Sequence, residues 1–169
     1  FPGTKSHDRD FAQIQQPLSK FLMAHPEVQL QITGRLTFEI TAHKGQVKHE
    51  EKLPFNEYQK RVQTGWVNIA PLEQTPFNDC KSALKILETS YWGIPTICSP
   101  NSDNKRYCNA GALIATGAQD WFSILEQMLD DTTYLKTCDN IDLRSVAISN
   151  SNDQAALFLK FINKVLNKN

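Results

Sequence analysis

Hydrophobic and polar positions alternate along this chain with two different periods. Short apolar-patterned runs at Val28–Thr33 and Trp66–Ala70 read as buried strands, the first ending in a turn at Gly34-Arg35, and Val47–Leu53 reads as another strand. Phe1 and Pro2 read as the tail of an earlier strand, and the runs ending at Ser99 and spanning Ala112–Ala115 as two later ones. Between them the period lengthens to that of a helix. Phe11, Ile14, Leu18, Phe21 and Leu22 predict an amphipathic helix opened by His7 or Asp8 and stopped before Pro26, with Pro17 able to kink or split it. Pro54-Phe55-Asn56-Glu57-Tyr58 opens a short helix, and Trp121, Phe122, Ile124, Leu125, Met128 and Leu129 mark another over 118–129. A weaker helix is expected at 132–137 and a final one at 153–166, with a broad apolar side from Ala156 to Val165. Leu36–Gly45 fits either a short helix or an edge strand, and 140–152 reads as polar loop.

Strands alternating with helices at this spacing predict an α/β fold, a Rossmann-like doubly wound parallel sheet with helices on both faces. Right-handed crossovers would gather the loops after Phe1, Gly34, Leu53, Pro71 and Ser99 at one carboxyl edge, where such sheets bind ligands. At 169 residues the chain is expected to form one domain, 1–169. It opens at Phe1 in mid-element and without methionine, so it reads as a fragment of something longer.

The stretch from Pro71 to Pro100 carries the strongest local signal. A helix is expected from just after Asn78 or Asp79 to about Tyr91, closed by Gly93 and Pro95. On a wheel Ala83, Leu84, Ile86, Leu87 and Tyr91 share one arc, and Lys81, Lys85 and Glu88 the opposite side. Two turns separate Lys81 from Glu88, about 10 Å along one face. A cation at the helix mouth and a carboxylate deeper in suit an elongated ligand with phosphate at one end and hydroxyls at the other. The same face is also that of a solvated helix with i,i+3 or i,i+4 ion pairs.

Pro71-Leu72-Glu73, Pro76-Phe77-Asn78-x-x-Lys81-Ser82-x-x-Lys85-x-x-Glu88, Gly93-x-Pro95 and Ser99-Pro100 together resemble the donor-binding segment of GT-B-fold glycosyltransferases, closest to a bacterial group that builds surface polysaccharides. The resemblance spans roughly 1–129. It implies that Glu88 holds the ribose hydroxyls of a nucleotide sugar. The family's companion glutamate, eight residues earlier, is Cys80 here, leaving Glu73 or the Phe77-Asn78 backbone as candidates for the sugar-facing role. Gly3-Thr4-x-Ser6-His7-x-Arg9-Asp10-Phe11 resembles the opening of the same domain, a loop facing the donor diphosphate; the same residues also read as a helix cap with a solvated arginine. The resemblance implies Lys81, Arg9 and Glu88 as catalytic candidates, Gly3, Thr4, Ser6, His7, Asn78 and Ser82 around the diphosphate, and Arg35, Pro54, Phe55 and Glu88 around the nucleoside. Arg35 beside a turn and an aromatic at Phe55 also have ordinary readings, as an exposed charge and a core residue.

Composition narrows the picture. Formal net charge is zero, which excludes the basic signature of nucleic-acid or anionic-membrane binding. No apolar run approaches the roughly 20 residues of a membrane span. Cys80, Cys98, Cys108 and Cys138 are widely spaced, which favours reduced thiols and a cytoplasmic setting. His7, His25, His43 and His49 have no zinc-binding spacing, and neither a nucleophile elbow nor a Gly-rich phosphate loop occurs. Cys80 near a helix start is a conceivable nucleophile, but no base lies near it in sequence.

The expectation is therefore the donor-binding half of a GT-B glycosyltransferase of hexosyl- or deoxyhexosyltransferase class. The nucleotide-diphospho-sugar is substrate and no cofactor or metal is expected. The resemblance implies retention of anomeric configuration, with the glycan acceptor reached through an N-terminal domain. The whole protein would be cytoplasmic, with peripheral association at the inner membrane as an option. A GT-B nucleotide-sugar epimerase and a non-catalytic Rossmann-like interaction module are the alternatives, the latter supported by Cys80.

Overall fold

The computed structural model describes residues 2–3, 7–37 and 39–167, without the side chains of 2, 3, 142, 143 and 146. It is an α/β structure with two three-stranded sheets. One holds β1 (Pro2–Gly3), β2 (Leu30–Gly34) and β3 (Val47–Glu50) in that order. The other holds β4 (Asn68–Ala70), β5 (Thr96–Cys98) and β6 (Ala112–Ile114). Every strand pairing is parallel, so a connection crosses over between each strand and the next, as the alternating periods predict.

The first predicted helix is split into α1 (Asp8–Ala12) and α2 (Gln15–Ala24). Pro17 has no N–H, and its ring crowds the carbonyl four residues back, so the break falls at Gln13-Ile14. After β3, α3 (Phe55–Gln63) follows Pro54. The segment 36–45, ambiguous in sequence, is neither helix nor strand among its described residues, although Leu36 is buried.

The organising helix differs from expectation. A single turn, α4 (Pro76–Asp79), is capped by Thr75, whose hydroxyl accepts from the Asn78 N–H. The helix proper, α5 (Leu84–Ser90), starts only after Lys81 and Ser82 have passed in a break. The loop after β5 supplies the reason. Asn101 Nδ2 donates to the carbonyls of Asn78 and Lys81 at 3.3 and 3.1 Å, and the Asp103 carboxylate accepts the Ala83 N–H at 2.8 Å. Groups that a continuous helix would bond internally are bonded across instead. Lys81 and Glu88 therefore do not share one helix face. The buried side of α5 is Ala83, Ile86, Thr89 and Ser90, while Leu84 and Tyr91 of the expected apolar arc are exposed. Thr89 can be buried because its hydroxyl bonds the Ile86 carbonyl and the Thr96 hydroxyl.

A short 3-10 turn at Asn104–Tyr107 precedes β6, and α6 (Ala118–Met128) packs on α2 through the cluster of Leu18, Phe21, Trp121 and Leu125. α7 (Asp131–Asp139) is longer than expected. The polar stretch expected as loop is helix α8 (Ile141–Ser149). Ser145 donates back to the Ile141 carbonyl, which hides its hydroxyl and lets both residues be buried. α9 (Ser151–Leu166), capped by Asn150, leaves Leu157, Phe158, Leu159 and Phe161 of its expected broad apolar side exposed.

Candidate functional site

The loops at the carboxyl ends of the strands are tied together, and carboxylates tie them. Asp8, at the start of α1, accepts from the Thr37 backbone N–H at 3.0 Å and from its hydroxyl, fastening the segment after β2 to the segment after β1. Asp10, two residues further, has a side chain only 4% exposed. Its Oδ1 accepts from the Glu73 N–H at 2.8 Å and from Asn78 Nδ2 at 3.0 Å, joining α1 to the loop after β4. Its Oδ2 lies 2.8 Å from His7 Nδ1 and 3.8 Å from Lys81 Nζ. The His7 nitrogen facing a carboxylate is the protonated one, which fixes the tautomer when the ring is neutral. Ser99 Oγ accepts the Leu72 N–H, and Asp79 accepts from the Ser102 N–H and hydroxyl, bringing in the loop after β5. The two Ser102 bonds hold the Asp79 carboxyl below its ordinary range.

A cleft of about 210 Å³ opens at this edge, where Ala70, Pro71 and Leu72 leave β4. His7, Lys81, Ser82 and Lys85 line it. Three nitrogen-bearing side chains and a hydroxyl surround one small opening, a lining whose chemistry suits an anion, and Asp10 contacts His7 and Lys81 from behind. The N-terminus of α5 contributes less than a free helix start would, because the Asp103 carboxylate already lies on its Ala83 N–H.

Glu88 sits one turn further along α5 than Lys85, with its side chain 17% exposed. Its Oε2 accepts from Lys85 Nζ at 2.9 Å and from the Tyr58 hydroxyl of α3 at 3.3 Å. The i,i+3 ion pair anticipated for a solvated helix is present here, and Lys85 links it to the cleft. Burial, then the charge and hydrogen bond of Glu88, push the Tyr58 phenol far above its ordinary range. Phe55, at the start of α3, is 66% exposed rather than core, and Pro54 beside it is exposed too.

The remaining sequence candidates divide. Arg9 and Arg35 are exposed, on α1 and directly after β2. Asn78 is buried, and both hydrogens of its amide go to Asp10 and the Glu73 carbonyl, so it braces the loop. Gly3 is described by its backbone alone, and Thr4 and Ser6 lie outside the described residues. Glu73 and Asn78 border a neighbouring hollow of about 310 Å³ with Gln74 and Thr75. Asp10 and Tyr58 stand within quoted motifs but carry no role in the sequence reading, and Asn101 and Asp103 do not enter it as site candidates. Only Asp10 carried a signal, an acid one turn after His7 in a segment whose neighbour Phe11 is core. Among the described residues no group of His, Cys, Asp and Glu could hold a metal ion, and no helix is long and apolar enough to cross a membrane. No family model matches the chain, and no curated protein matches it.

Proposed function

We propose that this chain is the donor-binding half of a GT-B-type glycosyltransferase and holds the nucleoside diphosphate of a nucleotide sugar at the carboxyl edge of its strands. One observation carries the reading: His7, Lys81, Ser82 and Lys85, drawn from segments far apart in sequence, converge on one cleft there. Two parallel sheets with the orders 3-2-1 and 4-5-6 support this reading, since a doubly wound sheet with these halves would bind its ligand where the order reverses, and Asp10 joins the loops after β1 and β4.

On this reading the diphosphate lies against Lys81 and Lys85, with Arg9 at the exposed rim. As the glycosidic bond to phosphate breaks, negative charge grows on the departing diphosphate, and these fixed cations stabilise it without a metal. Ser82 donates to a phosphate oxygen. Glu88 accepts from the ribose hydroxyls through Oε1, which has no hydrogen-bond partner among the described residues. Phe55 and Pro54 offer an exposed apolar surface to the base, and Arg35 a charge near it. The acceptor glycan would be bound by another domain of a cytoplasmic enzyme.

Calorimetry with roughly millimolar UDP, GDP and dTDP tests the reading. At least one should bind, and Lys81→Ala and Glu88→Ala should each weaken it by about tenfold, the effect of one charged hydrogen bond. A folded sample giving no heat with any of them would overturn it. That outcome would favour a non-catalytic interaction module, for which the placement of Asp10 beside Lys81 and Asp103 on α5 already argues. A product assay on the full-length protein separates transfer from epimerisation.

A further inference from the structure

A cavity of about 480 Å³ lies away from the cleft, between the two sheets. Leu30, Gln31 and Thr33 of β2 line one side and Asn68 and Ile69 of β4 the other. Two helix pairs wall it: Leu18, Phe21 and Leu22 of α2 with Leu125 of α6, and Tyr58 and Val62 of α3 with Thr89 of α5. The backbone groups facing this slot are the telling feature. Leu30 N–H donates to the Gln46 carbonyl, on the β3 side, and Asn68 N–H to the Pro95 carbonyl, on the β5 side. N–H groups alternate along a strand, so those of Gln31 and Ile69 point the other way, into the slot. Neither has a partner among the described residues; Ile69 is buried and Gln31 half-buried, and a buried donor left unpaired costs about 1–3 kcal/mol. Glu50, which also lines the slot, has a buried carboxylate oxygen with no partner.

We infer that the slot is the seat of a central β-strand, an extended apolar segment that runs parallel to β2 and β4 and leads into Pro2. The existing ladder sets its direction and register. Pro2 pairs with Thr33 and Gly3 with Gly34, so a strand carried back from Pro2 passes Ile32, Gln31 and Leu30 in turn. About four residues at roughly 3.3 Å each cover that edge. The strand's second edge meets β4, receiving the Ile69 N–H and closing the two sheets into one with the order 3-2-1-4-5-6. Helix pairs crowd the slot from two sides, so the occupant is apolar on both faces, the composition of a strand at the centre of a parallel sheet. A small apolar ligand would fill the volume but leave both N–H groups unpaired. The inference does not rest on nucleotide binding.

The test lengthens the chain at its amino end by Val-Ile-Val-Val and, in parallel, by Gly-Ser-Gly-Ser, and follows amide hydrogen exchange residue by residue. The apolar extension should slow exchange at Gln31 and Ile69 at least about tenfold relative to the Gly-Ser chain, and raise the melting temperature. Thr-Val-Thr-Val makes the same comparison if the more apolar chain is poorly soluble. Two folded chains with equal exchange at Gln31 and Ile69 would overturn the inference. So would equal protection by the same peptide added as a separate molecule to the unextended chain, which would make the slot a docking site for another chain. Neither outcome bears on UDP, GDP or dTDP binding at the cleft.

Discussion

At the carboxyl edge the polar groups left over by strands and helix ends meet one another; between β2 and β4 they do not. Asp8, Asp10, Asp79 and Asp103 each accept backbone N–H groups from a neighbouring loop, so the edge is a closed hydrogen-bonded rim around a small cationic cleft. In the slot, strand N–H groups and a Glu50 oxygen face a cavity more than twice as large. Ser90 Oγ and Glu50 Oε2 are the only buried side-chain N or O atoms without a partner among the described residues, and neither lines the cleft. Cavity size therefore does not mark the candidate site. Satisfied carboxylates holding nitrogen groups toward an opening mark a site already built, and unpaired backbone along a cavity marks a place for more backbone.

The contrast can be broken most sharply at Asp10. Asp10→Ala leaves the Glu73 N–H and one hydrogen of the Asn78 amide unpaired, and should cost roughly 3 kcal/mol in urea unfolding. A loss below about 1 kcal/mol would mean that the rim is not what holds the edge. Gly111→Ala probes a region outside both. Gly111 has φ +111°, and an added Cβ would lie 2.3 Å from the unpaired Ser90 Oγ, so strain and crowding together should cost about 2 kcal/mol. Gly111→Ala combined with Ser90→Ala should recover the crowding part and keep the strain.

Alkali acts on the interior common to both regions. Burial pushes the Cys98 thiol from 9.0 up to about 12, so the folded chain holds that proton after the unfolded chain has released it. The stabilisation is complete below pH 9 and declines between pH 9 and pH 12, by roughly 1 kcal/mol per pH unit. Tyr134, raised to about 12 chiefly by burial, adds to the decline above pH 10. Unfolding curves from pH 8 to pH 11 check this, and Cys98→Ala should flatten the slope. The smallest effect is expected from Lys85→Ala, which removes a partly exposed i,i+3 pair with Glu88 and should change stability by less than about 0.5 kcal/mol.

Much of this was legible where a single period dominates. Strands at 28–33 and 66–70 and the helix over 118–129 follow directly from their apolar spacing, because burial of one face decides each. The split before Pro17 was readable from one residue's missing N–H. The break between α4 and α5 was not, because Asn101 and Asp103, about 20 residues further on, capture the groups that helix continuation needs. Local pattern carries no information about such a partner. α8 was missed for a related reason: Ser145 reads as polar until its hydroxyl bonds back to Ile141. At the site, the sequence picked out His7, Lys81, Ser82 and Lys85 through spacing and resemblance, while Asp10 and Tyr58, which position Lys81 and Glu88, have roles only tertiary contact reveals.

Amide chemical shifts during titrations with UDP, GDP and dTDP, read for whichever of them binds, test the central claim most directly. The account predicts that His7, Lys81, Ser82 and Lys85 shift together and saturate on one curve, while Phe158 and Phe161 on the exposed side of α9 stay still. Shifts confined to α9, or to residues lining the slot between β2 and β4, with the four cleft residues unmoved, would contradict it.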